Sequence, residues 1–311
     1  MLPLAGVDLG GTNIQSTVFN SDWSVLDSQR TDTPQSDYTA LLEALAEHIN
    51  WATATGSSHM PIGIGIPGVI DKNSGQLRTA NLPANGRNIY TDLRALTGRD
   101  IALVNDCKAF ALAEAVLGSG AMYQSVLGIS IGTGIAGGLV IDNHILPDAN
   151  RMAGEFGHMS LPATTVSRHA LPMLECGCGN QGCYETYVCG PGFERFAALV
   201  AVTPARSVSE WAQRYTAEDS LAIDIARRWF DILADLINQL TLVYDPDCIV
   251  FGGGMSHFPD FFALLNLALN NKHKLIDDRP VLKPAQANEH SGAQGAALFA
   301  KELQQATRRA V

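Results

Sequence analysis

Short apolar runs, glycine turns and longer stretches of helical periodicity follow one another along this chain. The apolar runs predict buried strands, which we place at Leu4 to Asp8, Ile14 to Phe19, Ile62 to Gly68 with its turn, Ile101 to Val104, Val126 to Ile131, Gly137 to Ile141 and Cys248 to Phe251. Apolar residues at helical spacing predict helices over about 38–53, 109–117, 220–243 and 293–306. Strands and helices that alternate in this way are typical of the α/β class.

A unit of strand, glycine turn and strand occurs twice. Gly6-Val7-Asp8-Leu9-Gly10 matches Gly128-Ile129-Ser130-Ile131-Gly132 at an offset of 122 residues. The repeat predicts two related halves that face each other across a cleft, and a length of 311 residues suits a two-domain enzyme. We place the hinge near 118–120. This gives a smaller N-terminal domain (1–118), a larger C-terminal domain (119–292) and a last helix (293–311) that packs back onto the first domain.

Both glycine turns suit a phosphate group. Residues without a Cβ atom let backbone N–H groups approach an anion, Thr12 adds a hydroxyl donor, and Asp8 is placed to hold Mg²⁺ through water. Asp8 to Thr12 alone fits an ordinary hairpin turn equally well, but the second turn, Gly132-Thr133-Gly134, favours a nucleotide clamped between half-domains. A third run, Gly252-Gly253-Gly254, suits an adenine or ribose, and a plain strand-to-helix turn explains it nearly as well. The loops lack the Gly-Lys-Ser/Thr ending of a P-loop and the helix-opening G-x-G-x-x-G of a dinucleotide fold.

Asn105-Asp106 follows a predicted buried strand and is the best candidate for chemistry. Phosphoryl transfer to an alcohol needs a carboxylate within hydrogen-bond reach of the attacking hydroxyl, and Asp106 meets that need. The alternative is that Asp106 merely caps the following helix, which spacing alone favours slightly.

The cysteines indicate a metal site. Cys176-Gly177-Cys178-Gly179 and Cys183 place three thiols on a short glycine-rich loop, and His158 can supply the fourth ligand of a structural zinc site. Three buried unpaired thiols are the alternative. The stretch 148–191 shows little regular structure and needs a stabiliser of this kind. Zinc would also fix Glu155 and Glu185, which flank the ligands, for binding a polyol.

The charge balance limits the partners. A net charge of −10 argues against nucleic acid or an anionic membrane, since either would reward a basic surface. Residues 1–12 lack the pattern of a secretory signal, and no window reaches the roughly 20 apolar residues that a membrane span needs. We therefore expect a cytoplasmic protein.

With these residues assembled, the chain resembles the sugar kinases of the repressor, open reading frame and kinase (ROK) family over essentially its full length. The motifs that carry the resemblance are Val7-Asp8-Leu9-Gly10-Gly11-Thr12, Gly63-Ile64-Gly65-Ile66-Pro67-Gly68, Asn105-Asp106, Gly132-Thr133-Gly134, Gly154-Glu155-Phe156-Gly157-His158 and Cys176 through Glu185. The last two are highly specific to that family. Gly157 to Pro162 and Asp245 to Asp247 with Gly252 to Ser256 look most like bacterial N-acetylglucosamine kinases, and fructokinases share much of this pattern.

The resemblance implies duplicated actin-like (ribonuclease H-like) ATPase domains, and ATP- and Mg²⁺-dependent phosphorylation of the 6-hydroxyl of N-acetyl-D-glucosamine by a homodimer. Asp106 would be the general base, and structural Zn²⁺ would bind His158, Cys176, Cys178 and Cys183. The implied sugar contacts are Gly68, Asn81, Asn105, Asp106, Glu155, His158 and Glu185. The implied ATP contacts are Gly6, Val7, Asp8, Leu9, Gly10, Gly11, Thr12, Asn13, Gly132, Thr133, Gly134, Ile135, Ala136, Gly137, Gly138, Leu139, Gly253 and Gly254.

Two positions depart from the family pattern. Asn13 stands where many relatives have Lys, which would tune the phosphate contact. Lys108 stands where many carry Asn, which would alter the surroundings of the base or the range of sugars. A kinase for fructose, glucose, allose or N-acetylmannosamine is the nearest alternative. A sugar-responsive repressor is the alternative of another class, and we expect no helix-turn-helix ahead of a first strand that begins at about Leu4.

Overall fold

The computed structural model describes residues 3–147, 151–272, 279–286, 288 and 290–309, with side chains of the last helix described as far as 306. The strands are β1 (Leu4–Leu9), β2 (Asn13–Phe19), β3 (Val25–Asp32), β4 (Ile62–Ile66), β5 (Val69–Ile70), β6 (Leu77–Arg78), β7 (Ala102–Asn105), β8 (Ser125–Ile131), β9 (Ile135–Ile141), β10 (His144–Ile145), β11 (Cys248–Gly252) and β12 (Val281–Pro284). The α-helices are α1 (Tyr38–Thr55), α2 (Ile89–Thr97), α3 (Asp106–Val116), α4 (Ala163–His169), α5 (Glu185–Val188), α6 (Gly190–Ala201), α7 (Val208–Thr216), α8 (Ser220–Tyr244), α9 (Phe261–Leu269) and α10 (Ser291–Arg309). Phe156–His158 and Gly254–His257 form short 3₁₀ helices.

Two five-stranded sheets have the same topology. The first has the order β3-β2-β1-β4-β7 and the second the order β10-β9-β8-β11-β12. In each, a glycine turn joins the two strands of a hairpin, and the first strand of that hairpin pairs in parallel with the next strand of the sheet. Adding 122 to the bounds of β2 gives the bounds of β9, so the repeat predicted from the sequence is confirmed.

The chain divides into two compact units. The first comprises residues 1–122, 138–153 and 286–311, and the second comprises 123–137 and 154–285. The division falls within β9, between residues 137 and 138. The functional domains inferred from the sequence, 1–118 and 119–292, stay a prediction.

Helix α10 packs on β1, β4 and α3 of the first unit at very short range. Three glycines allow this approach, each against the backbone of an alanine: Gly6 against Ala293, Gly63 against Ala296, and Gly295 against Ala109. A methyl group added at Gly295 would lie 2.9 Å from the Cα atom of Ala109 and closer still to its carbonyl oxygen. Because backbone meets backbone here, only glycine fits without moving the helix.

Helix α8 forms the core of the second unit. Its Trp229 and Phe230 are fully buried and meet edge to face, with 4.8 Å between the ring centres. The indole of Trp229 also donates a hydrogen bond of 3.2 Å to the carbonyl oxygen of Tyr187 in α5, the helix that follows the predicted metal loop in the sequence.

The predicted elements agree best where apolar periodicity is long. The helices predicted at 38–53 and 220–243 are α1 and α8, which end within two residues of the expected bounds. The stretch 148–191, expected to have little regular structure, contains α4 and α5 among its described residues, so that prediction was wrong. Strand β3 was missed because nearly all of its residues are exposed and carry no apolar alternation. Among the described residues, no helix combines the length and apolar character needed to cross a membrane.

Candidate active site and metal centre

The first glycine turn, Gly10-Gly11-Thr12, joins β1 to β2 in the first unit. The amide of Gly10 donates a hydrogen bond of 2.9 Å to the carbonyl oxygen of Asn13. Thr33 donates two more to the turn, from its hydroxyl to the Gly10 oxygen and from its amide to the Thr12 oxygen. The Gln35 amide group donates to the Gly11 oxygen. The carbonyl oxygens of the turn are therefore all hydrogen-bonded to protein groups, an arrangement that suits a loop whose amides bind an anion.

Asp8 lies near the end of β1, and its carboxylate abuts Gly292 in the first turn of α10, where a side chain would overlap it. Burial, reinforced by the neighbouring charge of Asp106, raises the pKa of Asp8 to about 6. A buried carboxylate whose charge is disfavoured by a neighbouring acid in this way is a place where a divalent cation would be stabilised.

Asp106 is the first residue of α3, and it is not the cap of that helix. The cap is Asn105, whose side-chain oxygen accepts a hydrogen bond from the Lys108 amide at 3.1 Å. The carboxylate of Asp106 accepts one from the Cys107 amide at 2.9 Å, and burial raises its pKa. The helix-capping explanation for Asp106 is therefore unnecessary.

Other predicted residues of the first unit lie around these acids. The Asn105 side chain donates to the carbonyl oxygen of Gly68 at 3.0 Å, and Gly68 has a φ of 123° that favours glycine. Asn81 lies beside the first glycine turn, with its Cβ atom 3.9 Å from where a Gly11 side chain would begin. The predicted sugar contacts of this unit are thus brought near the first glycine turn and the first turn of α3.

Lys108 is buried, and its ammonium group donates to the carbonyl oxygen of Arg151 at 3.2 Å. Its backbone also packs against Gly138 in β9. The hydrogen bond places the Lys108 ammonium group beside the backbone of the segment that follows β10.

The second glycine turn, Gly132-Thr133-Gly134, is bound by groups of the second unit. The amide of Gly132 donates to the Gly134 oxygen at 2.9 Å, and the Gly132 oxygen accepts from the Gly190 amide at 2.8 Å. The carboxylate of Glu185 accepts from the Ile135 amide at 3.3 Å. Glu185, predicted as a sugar contact, thus touches the predicted phosphate loop directly.

A pocket of about 520 Å³ joins the second and third glycine runs within the second unit. Its lining residues are Gly132, Thr133, Gly190, Pro191, Glu194, Val208, Ser209, Ala212, Gly254, Met255, His257 and Phe258. A side chain at Gly254 would meet no atom within 4 Å, whereas Gly253 has a φ of 80° and lies against the backbone of Ile131. The apolar and glycine-rich lining suits a flat heterocycle with its phosphates towards Thr133.

Several residues that line this pocket were not predicted from the sequence. Gly190 and Pro191 open α6 after the Cys189 cap, and they place the start of that helix on the second glycine turn. Proline in the first turn of a helix, shortly after a capping residue, was the available signal. Ala212 and Phe258 gave no such signal, because only the fold brings them to the pocket.

Some predicted ATP contacts have packing roles in the fold. Val7 and Leu9 are fully buried in β1, and Gly6 is the contact point for α10. In β9, Leu139 is buried, Ala136 lies between Ile135 and Gly137, and a side chain at Gly137 would overlap the backbone of Gly128. Contacts of these residues with ATP stay a prediction.

His158, Cys176, Cys178 and Cys183 form a compact cluster in the second unit, with all four ligand atoms within 4.8 Å of one another. The Cys176 sulfur lies 3.5 Å from His158 Nδ1, and the Cys178 and Cys183 sulfurs are 3.7 Å apart. A tetrahedral ion with Zn–S bonds of about 2.3 Å and Zn–N bonds of about 2.05 Å requires separations of about 3.6 and 3.8 Å for such pairs. The donor types and these two separations therefore fit zinc.

The loop that carries these thiols is a small knuckle. The amide of Cys176 donates to the Asn180 oxygen at 2.8 Å, and Gly179 and Gly182 turn the chain with φ angles of 91° and 71°. Burial raises the pKa of the Cys183 thiol to about 12, so zinc binding would have to displace its proton. The outer nitrogen of His158, Nε2, lies 4.0 Å from Glu155, which places that carboxylate behind the ligand.

Comparisons with known proteins show the family of the chain. The ROK family model matches residues 4–303. An N-acetylgalactosamine kinase, AgaK, from Shewanella sp. (strain ANA-3) is 41% identical over 301 residues, which cover 96% of both proteins. An N-acetyl-D-glucosamine kinase from Pectobacterium atrosepticum is 35% identical over 303 residues, covering 94% of this chain and 97% of the relative.

The ROK hexokinase of Thermus thermophilus is a close structural match, with a TM-score of 0.86 and 30% identity over 98% of this chain and 100% of the hexokinase. The predicted actin-like fold class is thereby confirmed. Because the family model matches residues 4–303, and the two sheets of the chain share one topology, the chain belongs to the ROK family.

Proposed function

We propose that this protein is an ATP-dependent sugar kinase that transfers the γ-phosphoryl group to the 6-hydroxyl of N-acetyl-D-glucosamine. The observation that carries the proposal is the buried carboxylate of Asp106 at the first turn of α3, beside Asp8 and freed from helix capping by Asn105. Relatives named N-acetyl-D-glucosamine kinase, at 34–36% identity, support the choice of sugar.

Asp106 takes the proton of the attacking hydroxyl in this proposal. A carboxylate whose pKa is raised by burial is a better proton acceptor than an exposed one, which suits a general base at neutral pH. Gly68, Asn81 and Asn105 of the first unit bind hydroxyl groups of the sugar in this proposal, and contacts of Glu155, His158 and Glu185 with the sugar stay a prediction.

ATP occupies the pocket between Thr133 and Phe258 in this proposal, and its phosphates contact the amides of the second glycine turn. Phosphate contacts with the first glycine turn stay a prediction. Mg²⁺, when bound with the nucleotide, supplies charge neutralisation of the phosphates, and Asp8 is the side chain placed to hold it through water. The raised pKa of Asp8, caused by burial and by the neighbouring Asp106, supports this placement of the cation.

Zinc, held by His158, Cys176, Cys178 and Cys183, has a structural role in this proposal. The four protein donors would fill the positions of a tetrahedral ion and would leave none open for catalysis. Its ligands fix the ends of a short segment: Glu155 lies behind His158, and Glu185 follows Cys183 by two residues. Homodimer formation and a cytoplasmic location stay predictions.

N-acetyl-D-galactosamine is the second candidate substrate. The relative from Shewanella, at 41% identity, is named for that sugar, which differs from N-acetylglucosamine only in the orientation of its 4-hydroxyl. A site discriminates such isomers by whether its hydrogen-bonding groups stay paired, which makes the two sugars distinguishable in a direct comparison.

The test is ADP release from ATP in the presence of N-acetylglucosamine, N-acetylgalactosamine, N-acetylmannosamine, glucose, fructose and allose. We expect the highest kcat/KM with N-acetylglucosamine, and a reduction of kcat by at least about 10²-fold in Asp106→Asn. An Asp106→Asn variant as active as wild type would refute the assignment of the base. A strong preference for N-acetylgalactosamine would replace the proposed sugar, and no turnover with any sugar would refute the proposed kinase.

A further inference from the structure

Glu114 is a buried carboxylate on α3, 2% exposed and eight residues after Asp106. Its Oε2 atom accepts two backbone hydrogen bonds, from the Ser119 amide at 3.0 Å and from the Gln286 amide at 3.1 Å. Burial raises the pKa of Glu114, while the two amide bonds act in the opposite direction. One oxygen atom thus joins segments that are 167 residues apart in the sequence.

The turn after α3 is built around this side chain. The Gly120 amide donates to the backbone oxygen of Glu114 at 2.9 Å, and any side chain at Gly118 would overlap the carboxylate. Both donor segments lie close to places where the chain passes from one unit to the other. The chain first leaves the first unit after Met122, and it returns to that unit for the last time at Gln286. The Glu114 carboxylate therefore links the segments that contain Ser119 and Gln286 to the end of α3 through hydrogen bonds.

The elements joined in this way carry the acids of the candidate active site. Helix α3 begins with Asp106, and Gln286 lies five residues before α10, whose first turn abuts the Asp8 carboxylate. Helices α3 and α10 also touch directly where Gly295 meets Ala109. Glu114 therefore lies on the helix that carries Asp106 and contacts the chain segment that precedes the helix packed on Asp8.

We infer that Glu114 is a positioning residue for phosphoryl transfer. It holds the end of α3 and the chain entering α10 in a fixed relation, and so it fixes the separation of Asp106 and Asp8. The inference rests on the proposed function, because it assigns Glu114 a role in a reaction that uses Asp106. Displacements of about 1 Å at reacting groups lower rates by up to about 10²-fold, so such a residue affects kcat.

Two variants separate the possible roles of Glu114. Glu114→Met keeps the volume and removes the acceptor, whereas Glu114→Gln keeps a carbonyl oxygen that can accept both amides. We expect kcat to fall about tenfold or more in Glu114→Met, with KM for sugar and ATP changed less than kcat, and to stay within about twofold of wild type in Glu114→Gln. The matched control is Glu43→Met, on the exposed face of α1, with unchanged kinetics.

Hydrogen exchange of the Ser119 and Gln286 amides reports on the contact itself. Exchange at both should accelerate at least about tenfold in Glu114→Met and not in Glu114→Gln, at a temperature where circular dichroism shows all variants folded. Faster exchange with a wild-type kcat in Glu114→Met would overturn the positioning role. If wild type itself turns over no sugar, the proposed function is at fault, and the positioning role fails with it.

Discussion

Gly295→Ala tests one of the three close backbone contacts that α10 makes in the first unit. Intrinsic propensity alone predicts stabilisation, because alanine in a helix interior is favoured over glycine by about 1 kcal/mol. The structure predicts the opposite sign. The added methyl would lie 2.9 Å from the Cα atom of Ala109, whereas carbon atoms pack at about 3.5–4.0 Å, so α10 must move away from α3 by roughly 1 Å.

The expected loss of stability follows from the displacement of α10 relative to α3. Overpacking costs about 1–3 kcal/mol, and the upper value applies here because both partners are helix backbone and not flexible side chains. Subtracting the propensity gain of about 1 kcal/mol leaves a net destabilisation of about 2 kcal/mol, or a Tm lower by about 4–8 °C.

Thermal unfolding followed by circular dichroism measures this effect. Gly177→Ala is the matched control, because a methyl group there meets no atom within 4 Å, and its Tm should stay within about 2 °C of wild type. A Gly295→Ala protein as stable as wild type, or more stable, would show that α10 does not pack this closely in solution.

Two further predictions concern the acids and the metal cluster. Because the pKa of Asp8 is raised to about 6, the folded protein binds more protons than the unfolded chain between about pH 4 and 6, and stability without Mg²⁺ falls as the pH rises through that window. Asp8→Asn should therefore raise Tm above wild type at pH 7 and much less at pH 4, and an equal difference at both values would contradict the burial of this acid. Metal analysis of protein purified without chelator should find about one zinc per chain, falling towards zero in Cys178→Ser. Wild-type protein without zinc would remove the metal assignment.

The sequence was most informative where one local pattern determines one structure. The strand, glycine turn and strand repeat gave both hairpins, because alternation and glycine position depend only on neighbouring residues. The cysteine knuckle was predictable for the same reason: three ligands lie within eight residues, and only His158 had to be found elsewhere.

Features that depend on distant segments were not predictable in this way. Asn105 and Asp106 are both good helix-capping residues, and the sequence could not show that Asn105 takes the cap and leaves Asp106 available. Glu114 looks like an ordinary helix residue until the fold brings Gln286 to it. The pocket beside the second and third glycine runs combines segments from 132 to 258, and no local pattern marks residues such as Ala212 as part of it.

The dependence of β1 and β4 on α10 affects how the chain folds as it is made. The helix that covers Gly6 and Gly63, through Ala293 and Ala296, is synthesised after every other described element of the first unit. During most of translation the first sheet has one face uncovered, exposing apolar surface. The nascent chain should therefore depend on chaperones until α10 emerges, and deletion of α10 should yield an aggregating protein even though the candidate active-site side chains are all encoded upstream.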